Sequence, residues 1–383
     1  MAMDDIINPI RTAMNGNAQA MSEVSRLKLQ DSLRAAAESL ETPHDTMLRL
    51  FNSNLEISAV RIGCDLGFFK ALDASSTPLS VKELAKGRDE LLIGRLLRYL
   101  ASIRLITETS RDHFTANNCT KALANPAIQG AMYYTFHIGG ATYQALPDFL
   151  KEWNYSGDTF GRCAFQKSVN TELPFFPWVK GHPEKLAWFQ QLMSVPREGD
   201  WLDVVQFDEH AKSVGSDRAL LVDVGGSIGH QSARLRARYP DAPGRIIVQD
   251  LEETIQAARP VDGVEFMVHD FFTPQPIKNA KFYYLRTVLH DWDDEKCIQI
   301  LKNLIPAMAP DSQILIDEMA LPTSGVHWWS ACLDLHMYAM LGALERNEEQ
   351  WRDLLEKAGL KFVEIRPYQP VMRHSIIVAE LKK

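Results

Sequence analysis

The chain has 383 residues, 46% hydrophobic and 23% charged, an ordinary globular composition long enough for two packed domains. A formal net charge of −8 without any Lys/Arg run argues against a nucleic-acid partner, because such binders present a basic face. The 5 scattered cysteines rule against a disulfide scaffold or cysteine zinc site, and neither a signal-peptide pattern nor an apolar run of roughly 20 residues is present, so the expectation is a cytoplasmic protein that does not meet a membrane.

Residues 18–60 read as helices of mixed face, interrupted at Thr42-Pro43. In LSVKELAK, Ser80 followed three residues later by Glu83 is a capping-box pattern. Beyond Gly87, ELLIGRLLRYLASIRLI places Leu92, Leu96, Tyr99, Leu100 and Ile103 at helical spacing, and TETSRDHFTAN alternates like a two-stranded wing. Helix, turn, helix, wing is the winged-helix order. Its second helix is apolar where a DNA reader presents Asn, Gln, Arg or Lys, so a helical, winged-helix domain with a structural or dimerisation role is expected over 1–130.

Residues 131–205 read as a helical connecting region with His137 in YYTFHIGGATY, Phe175, Phe176 and Trp178 in LPFFPW, and Met193. Such aromatic and Met side chains serve equally as core or as the wall of a pocket for a flat organic ligand. From Ala219 the pattern changes. ALLVDVGG, RIIVQDL, VEFMVHDFF, KFYYLRTVL and QILIDEMAL are strand candidates, separated by helical stretches at Gln231–Tyr239, Glu252–Ala258 and Asp294–Ala309. That alternation predicts an α/β, Rossmann-like domain over 206–383, with a parallel sheet covered on both faces. The tail FVEIRPYQPVMRHSIIVAELKK adds two strands expected to pair antiparallel at an edge.

In LLVDVGGSIGHQSARL an apolar strand runs into Gly225, Gly226 and Gly229 before a helix, which lets the main chain turn tightly and a ligand approach closely. The next strand ends at Asp250, where a carboxylate can accept from ribose hydroxyls. The one after ends at Asp270-Phe271, an acceptor for an adenine amino group and a ring to cover its face. Three successive strand ends thus converge on one crevice. No lysine follows the glycines as in a phosphate loop, and Asp223 would repel a pyrophosphate while suiting an ammonium group, so S-adenosylmethionine (SAM) is the expected ligand.

YYLRTVLHDWDDEKC then places His290 at a strand end, with Glu318 ending the next strand and Glu345 after a helix that includes Asp334. Neutral imidazole accepts a proton near neutral pH, and a carboxylate on its other nitrogen, Glu318 or Glu345, would fix its tautomer. A phenol of pKa about 10 is a poor nucleophile until its proton leaves, so a base beside a SAM crevice implies methylation of a hydroxyl.

The order DVGGSIG, Asp250, Asp270-Phe271, HDW at His290, Glu318 and the ER pair at Glu345 resembles the plant and fungal small-molecule O-methyltransferases, a likeness covering most of the chain. The resemblance implies a homodimer, a small-molecule substrate, SAM as cofactor with S-adenosylhomocysteine (SAH) as product, no metal, and His290 as base flanked by Glu318 and Glu345. The implied cofactor contacts are Asp223, Gly225, Gly226, Asp250, Leu251, Asp270, Phe271 and Arg286. Ser227 departs from the family in standing where many relatives carry a third glycine. Acceptor-pocket candidates are His137, Phe175, Phe176, Trp178, Met193, Met319, Trp329 and Asp334, with Trp328 and Met337 beside them, for an aromatic or polyketide-like molecule.

Two rival readings stand beside this one. Some fungal members of the fold are SAM-binding pericyclases that polarise a carbonyl with pocket hydrogen-bond donors, a use that would suit His137 and Arg197. A SAM-fold protein kept as a dimeric interaction partner is the third. The intact His290, Glu318 and Glu345 set favours methylation, since a pericyclase needs no base.

Overall fold

The computed structural model describes residues 21–157, 161–195, 199–212 and 214–382, so Arg197 lies outside the described residues. The chain divides into two compact units, Leu33–Arg197 and Met1–Ser32 with Glu198–Lys383. No helix among the described residues is long and apolar enough to cross a membrane.

In the Leu33–Arg197 unit the capping box expected at Ser80 forms, and a second one stands at the Thr42-Pro43 interruption. Thr42 caps helix Pro43–Asp65 with Asp45 reciprocating, and Ser80 with Glu83 does the same for Val81–Ala85. Helix Glu90–Ser102 buries Ile93, Gly94, Leu97 and Leu100. Leu92, expected on the packed face, is 53% exposed. Asp89 caps this helix by accepting the Leu92 N–H at 2.9 Å, and because the buried stripe starts at Ile93, Leu91 and Leu92 fall on the solvent side. The hairpin of β2 (Thr107–Ser110) and β3 (His113–Thr115) joins β1 (Leu79–Ser80) in a small antiparallel sheet, order β1-β3-β2. Helices Pro126–Tyr134 and Gly140–Glu152 are joined by a π-helical turn, Thr135–Gly139, which carries His137.

The other unit is built on a seven-stranded sheet: β4 (Ala219–Val224), β5 (Arg245–Asp250), β6 (Glu265–Val268), β7 (Phe282–Arg286), β8 (Gln313–Met319), β9 (Leu360–Gln369) and β10 (His374–Leu381), in the order β6-β5-β4-β7-β8-β10-β9. The first five strands in that order pair in parallel, and β10 runs antiparallel between β8 and β9. The two tail strands therefore extend the sheet as expected, with the last one inserted inside the edge strand. β4 is the switch point: β5 follows on one side and β7 on the other, the place where open α/β sheets leave a crevice at the strand C-termini. β4, β7 and β8 are buried on both faces because each face is covered, one by Cys297, Ile300, Leu301, Trp351 and Leu355, the other by Trp201, Phe207 and Leu235.

Candidate active site

At the end of β4 the main-chain N–H groups of Gly225 and Gly226 both donate to the Gln249 carbonyl, at 2.8 and 3.0 Å. Gly225 has φ +72°, and a Cβ there would stand 3.0 Å from the Val288 side chain. At Gly226 a Cβ would lie 2.5 Å from the Asp223 carboxyl carbon, so that position accepts nothing larger. Ser227 adopts φ +54°, the left-handed region that favours glycine, and donates its N–H to Asp250 Oδ2 at 2.8 Å. Serine therefore takes a backbone shape that favours glycine, held there by the carboxylate at the next strand end.

Asp223 is buried, bonded by the Ser232 hydroxyl at 2.8 Å, and burial pushes its carboxyl up to about 7. Asp250 takes the Leu251 N–H on its other oxygen at 2.8 Å, and Leu251 itself is exposed. Asp270 is exposed and accepts the Phe272 N–H at 2.9 Å, while the half-buried Phe271 ring lies over Gly225, 3.5 Å from where a Cβ would be. A bare main-chain turn, carboxylates at three adjacent strand ends and a ring beside them match the needs of SAM: a cationic amino acid end, a ribose diol and an adenine. Arg286 is placed differently from a free cofactor cation. It gives Nη1 to the buried Asp317 at 2.7 Å, and Asp317 also accepts Tyr284 at 2.5 Å and Tyr368 at 2.7 Å.

His290 lies in a 3-10 turn, Leu289–Asp291, just past β7. Glu318, from β8, accepts the N–H groups of Val288, Leu289 and His290 on a single oxygen, at 2.9, 3.0 and 3.4 Å. Glu345 takes the ring: its Oε1 is 2.7 Å from Nδ1. That bond puts the neutral imidazole's proton on Nδ1 and leaves Nε2, 3.6 Å from Asp291 Oδ1, as the proton-accepting nitrogen. Burial opposes charge on the ring, but Glu318, Asp291 and Glu345 outweigh it and raise His290 to about 10. Burial raises Glu318 to about 7, the imidazolium pulling the other way. Donor atoms of His290, Glu318 and Glu345 lie within 4.8 Å of one another, a spacing that can hold a cation. Nδ1 and Glu318 Oε1 are already committed to protein partners, while Glu318 Oε2 and Glu345 Oε2 are buried with no hydrogen-bond partner among the described residues.

Sequence reasoning missed two residues here. Arg346 is 1% exposed and clamps the same turn from its carbonyl side, donating to Leu289 O at 3.1 Å and Trp292 O at 3.0 Å, with Asp294 at 2.8 Å. Its signal was the ER pair, read only for its acid. His336, on helix Trp328–Leu341, is held neutral, pushed down to about 4 by burial and by the His290 charge. Asp334 on that helix accepts the Glu345 N–H at 2.8 Å. Met319 and Met337 are buried, and Trp328 and Trp329 are exposed.

The remaining candidates belong to the helical unit. Phe175 packs edge-on against Tyr134, Phe165 and Phe189, and Trp178 against Phe165, which gives both a core role. Phe176 is half-buried and Met193 exposed. His137 Nε2 accepts from Arg61 Nε at 3.1 Å, and the ring stacks on Trp188 with centroids 5.1 Å apart. Burial and the Arg61 charge lower its pKa.

The O-methyltransferase domain family matches residues 202–361. Demethylsterigmatocystin 6-O-methyltransferase of Aspergillus flavus is 42% identical over 365 residues, 94% of this chain and 94% of that protein. The chain belongs to the O-methyltransferase family. Over its full length it superposes on the solved complex of LepI with SAM, at TM-score 0.94 and 36% identity, each chain covered completely. A structure described as a pericyclic reaction enzyme is similar as well: TM-score 0.93, 37% identity, 99% of this chain and 100% of that one. This O-methyltransferase is a SAM-dependent enzyme with the Rossmann-like α/β fold of its relatives, and it acts on a small molecule.

Proposed function

We propose that this enzyme methylates a hydroxyl of an aromatic or polyketide-like secondary metabolite, with His290 as general base. The observation that carries this reading is the Nδ1 bond to Glu345 at 2.7 Å, which aims the basic character of the ring at Nε2. Bound SAM supplies a methyl group on a sulfonium sulfur and leaves as SAH. Asp223, Gly225, Gly226, Asp250, Leu251, Asp270 and Phe271 are the residues that would hold it, with Arg286 steadying the crevice through Asp317. Nε2 takes the hydroxyl proton as the acceptor oxygen becomes nucleophilic, and Glu345 and Glu318 stabilise the imidazolium that results. The acids around it raise His290 well above an ordinary imidazole, which strengthens it as a base toward a phenol of pKa about 10.

For the acceptor, Met319 and Trp329 are the candidates in the sheet unit, and His137, Phe176 and Met193 those in the helical unit, where Phe175 and Trp178 are core. Residues 1–130 serve dimerisation, 131–205 the acceptor and 206–383 the cofactor and the base. A homodimer is supported by helix Pro43–Asp65, which exposes Met47, Leu48, Leu50, Phe51 and Leu55, an apolar stripe suited to a second copy of the chain. The setting is cytoplasmic.

A second reading, SAM-assisted pericyclic chemistry, is favoured by the solved pericyclic relative and by the fixed His137, whose bond from Arg61 leaves Nδ1–H as the ring's donor. Product mass separates the two. Incubation with SAM and a panel of phenols and polyketides should yield products about 14 mass units heavier together with SAH. Isomerised products of unchanged mass, with no SAH formed, would replace the first reading by the second.

A further inference from the structure

The Glu345-Arg346 pair governs His290 twice over, through the ring at 2.7 Å and through the carbonyls of Leu289 and Trp292. Helix Trp328–Leu341 ends at Gly342 in the left-handed conformation, and the chain then turns back to reach Glu345. Beyond the pair, the Arg346 carbonyl is fixed by the Leu321 N–H at 3.0 Å. Before it, the Glu345 N–H is fixed by Asp334 Oδ1 at 2.8 Å. Movement of that N–H carries the Glu345 carboxylate with it, because both hang on one Cα.

We propose that Asp334 is a positioning residue for His290, acting through the main chain of Glu345, and is not the polar contact of the acceptor. The inference rests on His290 being the base. It has a chemical corollary: the job needs an oxygen acceptor and no charge, since Asp334 touches a neutral N–H. An amide serves as well as a carboxylate. The groups facing the imidazole are Glu345, Glu318 from β8, Asp291 from its own turn and His336 from the same helix as Asp334. Of these, Glu345 is the one Asp334 holds.

The test compares Asp334→Asn, which keeps the acceptor oxygen, with Asp334→Ala and Asp334→Leu, which lack it. His290 is titrated by NMR in the full chain with 15N-labelled histidine, alongside kcat, KM and SAH binding. Losing the acceptor should lower the His290 midpoint by about 1 pH unit and cut kcat roughly tenfold, with KM changed less than about twofold. The asparagine variant should stay within about twofold of the parent in all three, and SAH binding, which reports the fold, should not change. An unmoved His290 midpoint in both acceptor-less variants overturns the proposal. So does a rise in KM shared by all three variants with kcat intact, the pattern of a residue that touches the acceptor. The titration needs no turnover, so an enzyme that methylates nothing would count against the functional reading and leave the role of Asp334 to be decided by NMR.

Discussion

Glu318 holds His290 by its main chain: one carboxylate oxygen collects the N–H groups of the turn, the His290 N–H at 3.4 Å among them, while the other stands 3.7 Å from Nδ1. The two acids around the imidazole have thus divided the work. Glu318 sets where the ring starts and adds charge, and Glu345 sets which nitrogen is basic.

Replacing His290 by Asn should therefore remove chemistry and spare binding. The expected loss in kcat is about 10²–10⁴-fold, the usual range for a positioned base. SAH affinity by calorimetry should stay within about twofold, because none of the strand-end residues is altered. Full activity in the variant would end the base assignment.

Activity and stability should run in opposite directions with pH. The rate follows the neutral imidazole, so kcat/KM should climb from neutrality toward about 10, where His290 loses its proton. The folded ring holds that proton more tightly than an unfolded imidazole of pKa about 6.5. Its contribution to stability is then fully present below about 6.5 and disappears as the pH rises through about 10. Rate profiles and thermal melts across that range check both trends, and His290→Asn should flatten each.

Glu345→Gln keeps an oxygen near Nδ1 but removes the charge and offers an amide donor that favours the wrong tautomer. We expect kcat to fall roughly a hundredfold and the alkaline rise in rate to move to lower pH. A pH profile superimposable on the parent's would assign the charge effect to Glu318 alone.

Ser227→Gly should stabilise the protein by about 0.5–1 kcal/mol, since glycine occupies φ +54° without steric cost and retains the N–H that Asp250 accepts. Chemical denaturation measures this, and a loss of stability would mean the serine side chain has a partner worth more than its strain.

Arg346→Met should cost about 3–5 kcal/mol, because it strips donors from two buried carbonyls and leaves no cation to replace them. Lysine should recover part of that in the same denaturation assay, lacking the planar fork that reaches both oxygens.

Much of the nucleotide half was legible because its signals are local. Val, Ile and Leu runs announced the strands of the sheet; Gly225 and Asp250 fall at strand ends where a reader counting periods expects them, while β6 stops at Val268 and leaves Asp270 and Phe271 two and three residues past its end. What stayed hidden depends on pairing across long separations. The division of labour between Glu318 and Glu345 rests on which oxygen meets which N–H, and nothing in residue order distinguishes the two acids. Arg346 gave no hint of burial, since a lone arginine is ordinarily a surface residue. Arg286 is engaged by Asp317, 31 residues later and on the neighbouring strand, so its commitment is invisible without the register of β7 on β8. In the helical unit, the aromatic run could not declare itself core or pocket, because both uses demand the same apolar rings. Leu92 went astray for a simpler reason: the buried stripe of its helix runs through Ile93, Leu97 and Leu100, one position away from the phase that includes Leu92.

The adjacency of Glu345 and Arg346 gives His290 a property beyond rigidity. One residue grips the imidazole and its neighbour grips the Leu289 and Trp292 carbonyls, before and beyond it in the same turn, so ring and turn are referenced to a single peptide unit. If the segment breathes, both shift together and their mutual angle survives. An enzyme organised this way can tolerate drift of the base as a body while resisting its rotation, and rotation is the error that would point Nε2 away from an oncoming hydroxyl.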